Sequence, residues 1–345
     1  MARSSLNQLY ALTIPEIQEV FLKAMENIVD RAMLDEMVKA IEDNDPEALF
    51  RVSGFTPAAL NPIIDRIEQA YNDGADYEVS GWPKRILTPS GTVIFQFNMR
   101  NYAVEQDLRK FSSNWITNIT NEVKENIRIS LEEGMRNGDN PRTTALNIVG
   151  RVNLSTRKRE GGVIGLSSNQ LRWVSNTKNY LEELDERYFN LKLRDKRFDA
   201  TVRKAIDNNE NLSKKTIEKL LTSYKARALR YRGEVIARTE TLHSISRGRN
   251  ASYIQAIEEG TLTKRQITKE WDDVGDGRER LSHVYLGNKY GRGKGIGFDE
   301  AFITQSGARL MYPGDNSLNA PLDEIIQCRC RARYRVDWFK EVDNE

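Results

Sequence analysis

The apolar repeat between Leu108 and Leu131 constrains this chain more than any other feature. Leu108, Phe111, Trp115, Ile119, Val123, Ile127 and Leu131 recur mostly every four residues, with no proline among them. That spacing lines one face of an α-helix, so one long helix is predicted over residues 101–133. A single apolar stripe needs other elements to cover it, and the same periodicity supplies them. Ile17, Val20, Phe21, Met25, Ile28 and Val29 mark a helix within residues 14–40, with Pro15 suited to a first turn. Asp45-Pro46 opens a short helix, and Thr56-Pro57 begins another, whose stripe is Leu60, Ile63, Ile64 and Ile67. Leu171, Val174 and Leu181 mark a further helix, and Ser213 caps a run through Ile217, Leu220, Leu221, Tyr224 and Ala228 that continues past Gly248.

Glycine and proline punctuate these helices. Asn72-Asp73-Gly74 is predicted to stop one helix, and Gly134, Gly138 and Asn140-Pro141 to break another. Pro89-Ser90-Gly91 separates the β-rich runs Arg85-Ile86-Leu87-Thr88 and Thr92-Val93-Ile94-Phe95-Gln96-Phe97, which predicts a short β-hairpin near 85–97. After Gly260 the composition turns to Gly, Asp and aromatic residues, with strand-like runs at 266–271 and 333–338. The expected fold is mainly α with a C-terminal α+β domain, its N-terminal and middle regions elongated and helical. The expected division is 1–100 (helical, with the hairpin), 101–259 (long helices with a basic face) and 260–345 (small α+β domain).

No stretch approaches the roughly 18 consecutive apolar residues of a membrane span, so no membrane partner is expected. The first residues lack the apolar core of a secretory signal, which predicts cytoplasmic synthesis. The net charge of +2 hides an asymmetry. Residues 1–80 carry about nine more acidic than basic side chains, whereas residues 151–250 carry about eleven more basic than acidic ones. Arg157, Lys158, Arg159, Arg194, Lys196 and Arg197 are therefore candidates for non-specific contact with double-stranded DNA phosphates. A solvated helix face is the alternative.

Both histidines and both cysteines lie in the final third: His243, His283, Cys328 and Cys330. Two nitrogens and two sulfurs match the ligand number of a closed tetrahedral zinc site. The preferred subset is His283, Cys328 and Cys330, with His243 as the fourth ligand. Against this, C-x-C is tighter than the usual zinc-finger spacing, and small buried thiols are the other reading. His283 with Glu240 or Asp276, and Arg238 or Arg280, also outlines a metal-independent nuclease. Each of those residues has an ordinary role in holding polar loops together, and catalysis is not expected.

Taken in order, Ala237-Arg238-Thr239-Glu240, Trp271, Arg278 through Arg280 to His283, Gly287, Tyr312-Pro313-Gly314-Asp315 and Cys328-Arg329-Cys330 resemble the Mu F-like head morphogenesis family of tailed phages. The signature begins near 236 and covers about residues 230–335, with weaker likeness at Gly161-Gly162, at 165–170 and at 194–199. Residues 1–100 carry none of it. The resemblance implies a minor capsid protein incorporated in few copies, associated with portal, capsid or scaffolding proteins and near packaged DNA. Its implied places are the host cytoplasm during assembly and the interior of the virion head, with an influence on genome packaging or ejection. It implies no enzymatic activity.

Overall fold

The computed structural model describes residues 5–339. Helices make up 61% of the chain and the sheets are small and antiparallel, so the mainly α class with a minor β portion is observed. Helix α1 spans Leu6–Asp30, α2 Leu34–Glu42 and α3 Pro46–Val52. The last is opened as expected by Asp45, whose carboxylate accepts the Ala48 N–H at 2.9 Å, with proline at the first helical position. Helix α4 covers Asn61–Val79, and β1 (Ile86–Thr88) pairs with β2 (Gly91–Val93) around a turn at Pro89-Ser90. The hairpin is thus present but ends at Val93, and 94–97 lie outside its ladder.

Helix α5 is Tyr102–Asn137, α6 Pro141–Val149, and β3 (Arg151–Val152) pairs with β4 (Arg159–Glu160). Helix α7 follows at Ser168–Glu182 behind a Ser167/Gln170 capping box, then α8 at Asp199–Asp207. Helix α9 runs unbroken over Lys214–Glu258. Beyond it lie β5 (Ile267–Asp272), α10 (Leu281–Tyr290), β6 (Ile296–Gly297), β7 (Phe302–Ile303), β8 (Arg309–Leu310), α11 (Leu322–Ile325) and β9 (Arg331–Val336).

The compact units are not the three consecutive domains expected. One unit takes residues up to Gln18, Ile64–Lys110 and everything from Glu234; the other takes Glu19–Ile63 and Phe111–Gly233. The boundaries fall inside helices, which a change of composition along the chain does not mark.

In the first unit the sheet order is β6-β5-β9, with Ile267 opposite Val336 and Trp271 opposite Ala332. Ile267, Lys269 and Trp271 share one face of β5, since alternate residues of a strand point the same way. Ile267 packs in a core with Tyr253, Leu262 and Phe298, whereas Trp271 joins Leu242, Leu286, Phe302, Leu310, Cys328 and Cys330. Gly74 does not stop α4. A Cβ there would lie 2.4 Å from the Ile245 carbonyl oxygen, and one at Gly248 1.9 Å from that of Tyr71. The two glycines let α4 and α9 cross in backbone contact, so each is a packing requirement inside a helix.

The second unit buries Leu181, Tyr188, Val202, Ile217 and Leu220 in one cluster, and Leu166, Val174, Tyr224 and Ala228 in another. Gly134 is also helical, and a Cβ on it would strike the Thr144 side chain at 2.3 Å. The helix ends at Gly138, whose φ of +66° is the left-handed conformation that closes helices.

Candidate metal centre

Among the described residues, one group can hold a metal ion: His283, Cys328 and Cys330, all buried, with ligand atoms within 4.8 Å of one another. Local structure explains the convergence. His283 sits in the first turn of α10, its N–H donating to the Arg280 carbonyl at 3.0 Å. Leu286 and Tyr290 follow at helical spacing and anchor the same face in the core. Cys328 and Cys330 lie in the segment between α11 and β9, and both sulfurs face the His283 ring. That makes the C-x-C spacing productive here.

The turn into this segment is held by several of the signature residues. Gln327 adopts a left-handed φ of 55° between α11 and Cys328. Its N–H donates to the Thr239 hydroxyl at 3.1 Å, and Arg280 donates to the Ile326 carbonyl. Asp276 accepts from both Arg278 and Arg329, closing the exposed rim, and these guanidiniums hold its carboxyl down at about 2. Trp271 stands edge-on to His283 with ring centres 5.1 Å apart.

The Nδ1 atom of His283 is 3.5 Å from each sulfur. A tetrahedral centre with bonds of about 2.3 Å to sulfur and about 2.0 Å to nitrogen separates such a pair by about 3.5 Å, so the spacing fits a shared ion. On the other side of the ring, Nε2 lies 3.1 Å from a Glu324 carboxylate oxygen, which also accepts the Ser282 hydroxyl at 2.8 Å. Contact between the thiols sets their acidity: the Cys330 contact holds Cys328 below the usual thiol value, while Cys328 together with burial pushes Cys330 well above it. Metal binding takes both cysteines as thiolates and displaces their protons.

His243 does not join this set. On α9 its Nδ1 faces Glu240 at 4.0 Å, and burial together with Arg247 lowers its pKa to about 3, which keeps the ring neutral. Arg238 pairs with Glu234 one turn away at 2.8 Å and is half exposed, and Arg238 to Glu240 lie in the middle of a 45-residue helix. The polar groups beside His283 are Glu324 and the two thiols, while Asp276 is bonded to Arg278 and Arg329. Tyr312 and Asp315 are buried, and the Asp315 carboxylate accepts from Met311 N at 2.8 Å and from the Ser317 hydroxyl at 3.0 Å. Asp315 therefore closes the Tyr312-Pro313-Gly314 turn, with Gly314 at a φ of +86°. Nothing in the sequence pattern singles out Glu324; its only signal is an acidic residue before the C-x-C.

In the other unit the basic candidates are largely engaged. Arg194 is bidentate on Asp199 at 3.1–3.2 Å, Arg197 bonds Asp195 at 2.7 Å, and Lys158 pairs with Glu26 at 2.8 Å. Arg159 donates to the Gly150 carbonyl. Arg157 and Lys196 are exposed. Asp195 also holds Arg227 and the Ser223 hydroxyl, so the 194–199 stretch reads as a self-neutralised turn. Comparison with protein families, curated proteins and solved structures finds no match for this chain.

Proposed function

We propose that this chain is a minor head protein of a tailed phage, acting in head morphogenesis beside portal, capsid or scaffolding proteins. In this reading its α+β region is stapled by a structural zinc on His283, Cys328 and Cys330. The observation that carries the reading is the convergence of separated signature positions. Thr239, Trp271, Arg280, His283, Cys328 and Cys330 span most of a hundred residues of chain, yet all bear on one buried cluster. A linear resemblance whose members meet in space is the pattern expected of a domain signature. Burial of all three ligands fits a structural rather than a catalytic ion.

The proposal assigns no catalysis: the His283 side chain is 2% exposed and enclosed between Glu324 and the thiols. It keeps a modest electrostatic contact with packaged DNA through exposed residues such as Arg157 and Lys196. The protein then acts in the host cytoplasm during assembly and in the head interior afterwards. The test is fractionation of assembling heads with quantitative mass spectrometry. The chain is expected at a few copies per procapsid in association with the portal; its absence from heads and virions overturns the proposal. Elemental analysis of protein purified without a metal-affinity tag tests the zinc, and less than about a tenth of an equivalent excludes a structural site of ordinary affinity.

A further inference from the structure

The imidazole of His283 lies between two unlike surroundings, with sulfurs beside Nδ1 and a carboxylate beside Nε2. We propose that Glu324 is the positioning residue of this centre: it accepts the Nε2 proton of His283 and thereby directs the Nδ1 lone pair at Cys328 and Cys330. The inference rests on the metal reading above and extends it to a residue outside the ligand set.

Glu324 and His283 come from different short helices, α11 and α10, and both are buried. A carboxylate removed from water demands donors. Ser282 supplies one at 2.8 Å, and His283 Nε2, buried and without a hydrogen-bond partner of its own, lies 3.1 Å from the same oxygen. If the ring carried its proton on Nδ1 instead, the Nε2 lone pair would face the carboxylate oxygen at that distance. The two would repel, and Glu324 would lose a donor. The carboxylate therefore selects the tautomer with Nε2–H, and that tautomer presents a lone pair at the point 3.5 Å from both sulfurs. A metal-bound histidine whose second nitrogen donates to a carboxylate is held in orientation and made a stronger ligand. Charge agrees with this assignment: a divalent ion with two thiolates is neutral, which leaves the neutral imidazole as the third ligand.

The intact chain is stripped of metal, and its affinity for zinc alone is measured by competition with a chelating dye, with cobalt spectra of the same variants. Glu324→Ala is expected to weaken zinc binding by about 10–100-fold, and Glu324→Gln, which keeps a neutral acceptor, by about 3–10-fold. In both, the thiolate-to-cobalt charge-transfer band is retained, because both sulfurs remain. The thermal midpoint of the metal-free protein separates positioning from structure: a merely structural Glu324 lowers that midpoint and leaves affinity unchanged. Affinity within about twofold of the unaltered chain in Glu324→Ala overturns the proposal, and if that variant does not fold, the same result in Glu324→Gln does so. A chain that binds no zinc, or whose affinity survives His283→Ala, overturns the metal reading and this inference together. Loss in His283→Ala with none in the Glu324 variants overturns this inference alone.

Discussion

The cluster around His283 and the cluster around Asp195 are built from the same kind of material, polar and charged side chains in signature-like stretches, and they end in opposite arrangements. Around His283 three groups with ligand atoms converge on a buried point, with a carboxylate behind the ring. Around Asp195 the arginines meet opposite charges: Arg197 and Arg227 on Asp195, Arg194 on Asp199. The first arrangement leaves donor atoms facing one another, which costs stability unless a cation or shared protons intervene. The second satisfies itself and needs no ligand. Clustering of chemically capable residues therefore says little until the sign and direction of each group are known.

The sharpest way to break the contrast is to remove a sulfur. Cys328→Ser is expected to lower zinc affinity by more than about 100-fold, beyond what an outer-shell change produces, and to lower the thermal midpoint of the zinc-loaded protein. Equal zinc stoichiometry in the variant and the unaltered chain would place the ion elsewhere. Asp195→Asn, by contrast, should leave zinc binding untouched and cost about 1–2 kcal/mol in urea unfolding. That is less than a fully buried pair, because the Arg197 side chain is 80% exposed and screened by solvent.

Acid sharpens the same comparison. Hydrogen bonding from Arg197, first among several contacts, holds the Asp195 carboxyl well below its ordinary value. A depressed folded-state pKa contributes stability that is fully present above the unfolded value of about 3.9 and is lost as pH falls below it. The stability gap between the unaltered chain and Asp195→Asn should therefore narrow below about pH 4; a gap constant from pH 6 to pH 3 would show that the charge is not its source. The smallest effect is expected at the exposed basic residues. Replacing Arg157 and Lys196 with alanine should reduce the salt slope of DNA binding by about 1–2, measured by fluorescence anisotropy across salt concentrations. An unchanged slope would remove these residues from any DNA-facing surface.

What the sequence determined by itself is local. The stripe from Leu108 to Leu131, the caps at Asp45 and Ser213, the turn at Pro89-Ser90-Gly91 and the C-x-C before a strand all act within a few residues, and all appear where periodicity and capping chemistry place them. Tertiary structure decided everything that depends on a distant partner. Gly74 looks like a helix stop until Ile245 packs against its backbone, and His243 looks like a fourth ligand until α9 turns it toward Glu240. Glu324 is an unremarkable acid until α10 brings His283 beside it, and the units are threaded so that their boundaries fall inside helices. The reason is physical: helix propensity and capping are set by neighbours along the chain. Burial, ion pairing and ligand geometry are set by which faces pack together, and no residue carries that information alone.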